Sequence, residues 1–343
     1  MPTKAPIILL SLPTLDGVEA AIHAACPQAQ VRVGPYDSNV TVQFDKALCR
    51  DADIMLSEFE PGNLKDFERL KWIQITSAGY SQLINIGLPE RSIRASNGLG
   101  NFDIPIAEWN IMMMLAWRRN LWKMLENQRQ SKWEYLGEFQ QEVRGLTVGF
   151  YGYGGIARET PRSAKGMGWN VWVMTRDGKV KPRRDNFCVP GTGDPDGKLP
   201  DRVFSVSDKK SFFAGLDYLF ITLPLTPASK GLIGEAELRM LKPSAVLINP
   251  ARAAIVDEQA FLRCMREGWI RGASFDVHYQ YPLPSEHPLW KMPNVILTPH
   301  ISGSTLATHF IRRLLAIFTT NLKRFLAGEP LLNELSVAQL RGE

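Results

Sequence analysis

Short apolar runs alternate with polar, helix-like stretches from the start of the chain to about residue 103. Runs of this kind, bounded by polar segments, are typical of strands that are buried on both faces of a parallel sheet. The pattern predicts strands at Ile7–Leu12, Ile54–Leu56 and Trp72–Ile75.

The same rhythm returns at Leu146. Helical segments separate most of the later apolar runs, which predicts a second parallel, doubly wound sheet. The segment 178–202 interrupts the rhythm, is rich in Pro, Gly, Asp and Lys, and is predicted to be a long ordered loop. The predicted strands of this second block are Thr147–Tyr151, Asn170–Met174, Tyr218–Thr222, Ala245–Ile248, Gly272–Asp276 and Val295–Leu297.

Two long helices are predicted outside these sheets. Pro105 follows a helix-start signal at Asp103, and a helix of about twenty residues is expected from there. A final helix is expected from about Thr305 to Ala327, where Gly328 ends it. The apolar face of the first helix is predicted to contain Ala107, Ile111, Met114, Leu115, Leu121, Trp122 and Leu125.

Composition narrows the class of protein. The 343 residues are 45% hydrophobic and 22% charged, which suits a globular protein with two domains. The net charge of +5 is scattered, with Lys179–Arg184 as the closest basic block, so nucleic acid is not an expected partner. Four widely spaced cysteines predict neither a metal site nor disulfides, and Ile7–Leu12 is too short to cross a membrane. We expect a cytoplasmic protein without a membrane partner.

A glycine-rich turn follows the strand Thr147–Tyr151. The sequence Gly152-Tyr153-Gly154-Gly155-Ile156-Ala157 matches the dinucleotide-binding pattern in its required context, between a strand and a helix. Gly152 suits the tight turn, Gly154 lets a diphosphate approach the backbone, and Ala157 allows helix and strand to pack closely. Pro161 lies two turns into this helix, where a kink or an early 3₁₀ turn is expected.

The next strand ends at Thr175-Arg176. Enzymes that use NAD generally have a carboxylate there, which accepts hydrogen bonds from the ribose and would repel a 2′-phosphate. Thr175 can donate to such a phosphate and Arg176 can pair with it. The sequence therefore favours NADP(H), with NAD(H) as the alternative cofactor and a solvated basic loop as the alternative interpretation.

Three later strand ends supply reactive side chains. Pro250-Ala251-Arg252 follows one strand, Asp276 ends the next, and His300, with Gly303 beyond it, follows the last. In a doubly wound sheet these ends open at the carboxyl edge, where ligands bind. The reduction of a keto acid needs such a pair, because an arginine can bind the carboxylate and a histidine can supply the proton.

At these residues the sequence resembles the D-isomer-specific 2-hydroxyacid dehydrogenases over nearly the whole chain. Further motifs carry the resemblance. Leu223-Pro224-Leu225-Thr226-Pro227 is similar to the loop beside the nicotinamide, and Ile106-Ala107-Glu108 to the start of the interdomain helix. The turn Ser77-Ala78-Gly79 is similar to the one whose backbone N–H groups bind the substrate carboxylate.

The resemblance implies an α/β fold in which a Rossmann cofactor domain is inserted into a flavodoxin-like substrate domain. The expected boundaries are 1–104 for the substrate domain, 105–303 for the cofactor domain and 304–343 for a returning C-terminal segment. It also implies that Arg252 binds a small acid substrate, that His300 exchanges the proton, that Asp276 supports the site, and that a homodimer forms through the cofactor domain. Tyr153, Gly152, Gly154, Gly155, Ile156, Thr175, Arg176, Leu223, Pro224, Thr226, Pro250, Ala251, Arg252, Asp276, His300 and Gly303 would contact the cofactor.

One departure concerns Tyr281. Most of the family has a glutamate five residues after the aspartate, hydrogen-bonded to the catalytic histidine, and this chain has Tyr281 there. A carboxylate would raise the pKa of the histidine, whereas a phenol can only orient it. This departure keeps open a catalytically weak binding protein that senses the cofactor. The segment 298–303 also leaves open oxidation of the kind that formate dehydrogenases perform, although that branch has a glutamine where this chain has Tyr281.

Overall fold

The computed structural model of the chain describes residues 5–37, 41–135, 137, 140–183 and 185–343. The chain forms two compact units. One contains residues 1–102, 184–189 and 305–343, and the other contains residues 103–183 and 190–304. The sequence gives no indication that 184–189, in the middle of the predicted loop, cluster with the first unit.

The first unit is built on a five-stranded parallel sheet in the order β2-β1-β3-β4-β5. With elements numbered in chain order over both units, its strands are β1 (Ile7–Ser11), β2 (Gln30–Val33), β3 (Ile54–Ser57), β4 (Trp72–Ile75) and β5 (Arg94–Ser96). Its helices are α1 (Val18–Ala25), α2 (Lys46–Cys49), α9 (Phe310–Ala327) and α10 (Val337–Leu340). The three predicted strands are confirmed. β2 and β5 were not predicted, because each is short and contains polar residues rather than a continuous apolar run.

The second unit is built on a seven-stranded parallel sheet in the order β12-β11-β10-β9-β6-β7-β8. Its strands are β6 (Thr147–Tyr151), β7 (Asn170–Met174), β8 (Arg202–Phe204), β9 (Tyr218–Ile221), β10 (Val246–Asn249), β11 (Gly272–Phe275) and β12 (Val295–Leu297). Its helices are α3 (Asp103–Arg118), α4 (Leu121–Arg129), α5 (Gly155–Ser163), α6 (Lys209–Gly215), α7 (Glu235–Met240) and α8 (Glu258–Glu267). All six predicted strands are present, and β8 begins where the predicted loop ends.

Each face of the seven-stranded sheet has its own hydrophobic core, as doubly wound sheets require. Along β9, Tyr218 and Phe220 pack into one core, and Leu219 and Ile221 pack into the other. This alternation follows from the two-residue period of a strand. It explains why the strand is a continuous apolar run in the sequence.

The long helix expected after Asp103 is two helices, which corrects the prediction. α3 ends at Arg118, and Asn120, at φ 45°, adopts the left-handed conformation before α4 begins. The predicted apolar face is also partly wrong, because Leu121 and Leu125 are exposed whereas Trp109 and Met113 are buried. The prediction assumed one continuous helix with a period of about 3.6 residues through Asn120. Because the helix breaks there, the residues of α4 point in directions that this period does not describe.

Pro161 is tolerated inside α5, which continues to Ser163. A 3₁₀ turn, Lys165–Met167, follows within the next residues. Among the described residues, no helix is long and apolar enough to span a membrane. The two parallel sheets with their helices confirm the predicted α/β class with two doubly wound units.

Candidate functional site

The carboxyl edge of the seven-stranded sheet gathers the predicted cofactor and catalytic residues. Because all seven strands are parallel, every segment that leaves a carboxyl end emerges at this edge. The segments after β6, β7, β9, β10, β11 and β12 contain, in turn, 152–156, 175–176, 223–226, 250–252, 276 and 300–303.

The glycine-rich turn between β6 and α5 has the form of a phosphate cradle. Gly152 has φ 89°, and a β-carbon there would lie 2.9 Å from the Cδ2 atom of Leu223. Gly154 is the N-cap of α5, and a β-carbon on it would meet open space. Among the described residues no side chain caps α5, so the N–H groups of its first turn are suited to an anion. The turn thus fits the diphosphate of a dinucleotide.

Gly155 has no side chain, and the space beside it is occupied by an ion pair between Asp103 and Arg183 that the sequence did not predict. A β-carbon on Gly155 would overlap Oδ2 of Asp103 and Nη1 of Arg183. These two side chains lie 3.5 Å apart and are largely buried. The first residue of α3 and the end of the segment 178–183 therefore meet against the start of α5, and no side chain at position 155 can share that space.

Tyr153 fastens the long segment after β7 to the same turn. Its hydroxyl donates to Oδ2 of Asp194 at 2.8 Å, and the Arg158 guanidinium lies 4.7 Å above its ring. Arg158 also donates to the backbone oxygens of Tyr153 and Lys181. Burial and the neighbouring Asp194 carboxylate raise the pKa of Tyr153, so its hydroxyl stays protonated and serves as a hydrogen-bond donor.

Thr175 and Arg176 follow β7 directly. The Thr175 hydroxyl donates to the Lys179 carbonyl at 3.1 Å, and Arg176 is exposed. Asp177 accepts from the N–H of Lys179 at 3.2 Å, and that bond lowers the pKa of its carboxyl group. The segment after β7 therefore carries the Asp177 carboxylate beside the cationic side chains of Arg176 and Lys179. Arg184, the last residue of the predicted basic block, lies outside the described residues.

The segment after β9 is held by Ser229. Its Oγ accepts from the N–H of Thr226 at 2.8 Å and donates to the carbonyl of Pro224 at 2.7 Å. The side chain of Leu223, at the start of the segment, lies so close to Gly152 that a β-carbon on that glycine would be 2.9 Å from its Cδ2 atom. The predicted nicotinamide-side loop and the glycine-rich turn are therefore neighbours.

Arg252 is held at the end of β10 by Asn249. The Asn249 side chain, which is fully buried, accepts from the N–H of Ala251 at 3.0 Å and donates to the carbonyl of Arg252 at 3.1 Å. The half-buried guanidinium donates to the carbonyl of Ala251 at 2.7 Å, and no carboxylate of the described residues pairs with it. Burial lowers the pKa of Arg252, although a guanidinium stays charged at neutral pH.

Asp276 is fully buried, and both of its carboxylate oxygens accept hydrogen bonds from the segment 298–302. Oδ1 accepts from the Thr298 hydroxyl at 2.5 Å and from the N–H of Ile301 at 2.9 Å. Oδ2 accepts from the N–H of Ser302 at 2.9 Å and from its hydroxyl. Asp276 therefore acts on the site through this segment, since all four donors lie on either side of His300.

His300 has φ 58°, a left-handed conformation that is uncommon outside glycine. The residue is exposed, but the protein atoms around its ring remove part of its solvent. This desolvation and the positive charge of Arg252 lower the pKa of His300, against the opposing effect of Asp276. The imidazole is therefore mostly neutral at neutral pH.

Tyr281 lies beside His300 in the place where a carboxylate was expected from the resemblance. The two ring centroids are 5.5 Å apart at an angle of 51°. The Tyr281 hydroxyl accepts from the backbone N–H of His278 at 3.2 Å. Desolvation raises the pKa of Tyr281, so the side chain next to His300 is an uncharged phenol at neutral pH.

The predicted substrate turn, Ser77-Ala78-Gly79, belongs to the other unit and follows β4 there. All three of its carbonyls accept hydrogen bonds, from Gly98, Asn97 and the Ser77 hydroxyl respectively. A β-carbon on Gly98 would overlap the carbonyl of Thr76. The N–H groups of Ala78 and Gly79 donate to no group among the residues that the structure describes.

Sequence reasoning missed Asn249, the Asp103–Arg183 pair and His278, a buried imidazole near the catalytic segments. The available signal for Asn249 was a polar residue directly after the apolar run of β10. The ion pair had no signal, because its members are 80 residues apart in sequence. Among the described residues, no cluster of histidine, cysteine and carboxylate side chains could hold a metal ion.

Asp276→Asn is expected to lower the free energy of unfolding by about 2–3 kcal/mol, because the amide NH₂ would face donors that a carboxylate oxygen now accepts. Denaturant unfolding followed by tryptophan fluorescence measures this loss. Asp201→Asn is the control, since Asp201 accepts a single backbone N–H, from Val171, and an amide oxygen can replace it. Equal losses in both variants would contradict a special role for the four-donor arrangement.

The comparisons with known sequences agree with this geometry. Residues 111–302, more than half of the chain, match the family described as "D-isomer specific 2-hydroxyacid dehydrogenase, NAD binding domain". The glyoxylate reductase of Thermofilum pendens is 31% identical over 281 residues, which are 79% of this chain and 77% of that protein. The glyoxylate reductase of Thermococcus gammatolerans is 28% identical over 311 residues, 88% of this chain and 87% of that one.

Solved structures agree as well. A D-isomer-specific 2-hydroxyacid dehydrogenase family protein from Aeromonas salmonicida superposes with a TM-score of 0.81 at 26% identity, over 97% of this chain and 99% of that one. The enzyme of that family from Xanthobacter autotrophicus, solved with NADPH and MES, superposes with a TM-score of 0.79 at 25% identity, over 97% and 98%. The chain therefore belongs to the D-isomer-specific 2-hydroxyacid dehydrogenase family and is an NAD(P)-dependent oxidoreductase.

Proposed function

We propose that the protein reduces a 2-keto acid to the D-2-hydroxy acid with NADPH, and that the reaction is reversible. The observation that carries this proposal is Arg252, a half-buried cation that no carboxylate of the described residues neutralises, close enough to His300 to lower its pKa. A cation in this state is suited to an anionic substrate, and the adjacent imidazole is suited to proton transfer.

The residues divide the reaction between them. NADPH, which the glycine-rich turn 152–156 would hold, would supply a hydride for the keto carbon of the substrate. Arg252 holds the substrate carboxylate and polarises the keto oxygen, and His300 gives that oxygen the proton that makes it a hydroxyl group. Asp276 keeps the segment of His300 in place. In the oxidation direction His300 accepts the same proton.

A panel of 2-keto acids, from glyoxylate to phenylpyruvate, tests the proposal through the loss of NADPH absorbance. His300→Ala is expected to lower kcat by a factor on the order of 10²–10⁴, because it removes the proton donor. Arg252→Ala is expected to raise KM and lower kcat, and Arg252→Lys, which keeps the charge without the planar fork, should recover part of both.

Fluorescence titration with NADPH provides the control, since His300→Ala should bind the cofactor as the wild type does. Tight NADPH binding without turnover at any pH from about 5 to 9 would contradict the proposal and favour the cofactor-sensing binding protein. Oxidation of formate in the absence of a keto acid would favour the formate-dehydrogenase alternative instead.

The pH dependence tests the role of Tyr281. Reduction needs protonated His300, so kcat/KM should fall as the pH rises through the pKa of His300, which lies below its usual value of about 6.5. Tyr281→Glu places a carboxylate beside the imidazole and should raise that pKa, moving the midpoint of kcat/KM upward by about one pH unit. Tyr281→Gln is the uncharged control. A midpoint that moves equally in both variants would show that charge is not the cause.

The preference for NADPH is proposed from Thr175 and Arg176. Arg176→Ala should raise the Kd of NADPH about tenfold, because a charge-assisted bond to the 2′-phosphate is lost, and should leave the Kd of NADH unchanged. Arg202→Ala is a matched control, since Arg202 begins β8 at the opposite edge of the sheet and lies 4.6 Å above Trp172. Equal weakening of both cofactors by Arg176→Ala would argue against a phosphate contact.

A further inference from the structure

His278 is a buried imidazole two residues beyond Asp276, and it is 8% exposed. Its Nε2 atom lies 2.9 Å from the carbonyl oxygen of Thr298. Because a carbonyl oxygen can only accept, Nε2 must carry the hydrogen, and this bond fixes the tautomer.

The carbonyl of Thr298 links this imidazole to His300. The same oxygen accepts the backbone N–H of His300 at 3.0 Å. The bond between residues 300 and 298 closes a three-residue γ-turn centred on Pro299, directly before His300, whose φ is 58°. A left-handed residue other than glycine is held in place by its surroundings, because the conformation is unfavourable by itself. His278 therefore donates to the same Thr298 carbonyl oxygen that accepts the backbone N–H of His300.

The other ring nitrogen supports a specific role for this bond. Nδ1 of His278 is buried and has no hydrogen-bond partner among the described residues. An idle buried acceptor is unfavourable, and an apolar ring of the same size would avoid it. Packing alone therefore does not account for an imidazole here, whereas the bond from Nε2 to Thr298 does.

Tyr281 completes the arrangement. Its ring neighbours both imidazoles, with its centroid 6.0 Å from that of His278 and 5.5 Å from that of His300. Its hydroxyl accepts the backbone N–H of His278. His278 therefore bonds to Tyr281 through its backbone N–H and to Thr298 through its side chain.

We propose that His278 is a positioning residue for the proton donor, fixing the γ-turn that precedes His300 through the carbonyl of Thr298. The inference rests on the proposed function of His300. In this site, a second imidazole contacts the Thr298 carbonyl that accepts the backbone N–H of His300, while the side-chain neighbour of His300 is the uncharged Tyr281.

Two substitutions at position 278 separate this role from packing. His278→Phe keeps a ring of similar size and removes the N–H donor, and kcat should fall about tenfold, with the KM of the keto acid and the Kd of NADPH within about twofold of wild type. His278→Gln places an amide nitrogen where Nε2 lies and should recover most of kcat. An unchanged kcat in His278→Phe, or an equal loss in both variants, would overturn the proposal.

His287 provides a matched control. It is a buried histidine, 7% exposed, whose Nε2 atom lies 2.9 Å from Glu258 and whose Nδ1 atom accepts from the N–H of Leu289. His287→Phe should lower the melting temperature and leave kcat close to wild type. A fall in kcat as large as that of His278→Phe would show that loss of any buried histidine has this effect, and would overturn the proposal.

A readout that needs no turnover distinguishes failure of this inference from failure of the proposed function. In protein labelled with ¹⁵N-histidine, His278 should show a protonated Nε2 and an unprotonated Nδ1, and His300 should give one sharp set of signals. In His278→Phe the His300 signals should broaden or double, and in His278→Gln they should sharpen again. A wild type without keto-acid turnover would refute the proposed function, while the opposite tautomer, or His300 signals unchanged in His278→Phe, would refute this one.

Discussion

A buried charge must be compensated, and the Asp276 carboxylate is the charge around which this site is arranged. Its four donors all come from one short segment, so satisfying the carboxylate also fixes the path of the chain on both sides of His300. His300, in its left-handed conformation, lies within the stretch that these bonds hold. Asp276 can therefore be indispensable to the site without touching a reacting atom.

Electrostatics at the same edge of the sheet favour an anionic ligand. Arg252 is desolvated, its neighbour Tyr281 carries no charge, and the nearby Asp276 carboxylate is already occupied by hydrogen bonds. Binding of a carboxylate would reduce the positive charge that now depresses the pKa of His300. Under the proposed function, an acid substrate bound at Arg252 would therefore favour protonation of His300, the state that its own reduction needs.

Much of this architecture could be predicted from the sequence, because parallel strands buried on both faces are continuous apolar runs and their carboxyl ends share one edge. β6, β7 and β12 have the predicted bounds, and the glycine-rich turn lies where its motif indicates. The weakest predictions were those that depend on one backbone angle or on a contact distant in sequence. The break at Asn120 is a single left-handed residue in a helical pattern, and the shared carbonyl of Thr298 depends on a side chain 20 residues earlier.

Gly155 shows how a loop and a motif come to depend on each other. The space that a side chain would take at this position is filled by Asp103 and Arg183, which arrive from the start of α3 and from the segment after β7. A side chain at position 155 would therefore require Asp103 or Arg183 to move. Exchanging the segment for a shorter one from a relative would leave a void beside the first turn of α5, and a larger residue at 155 would be the natural compensation. The length of this loop and the glycine at position 155 are therefore structurally dependent on each other.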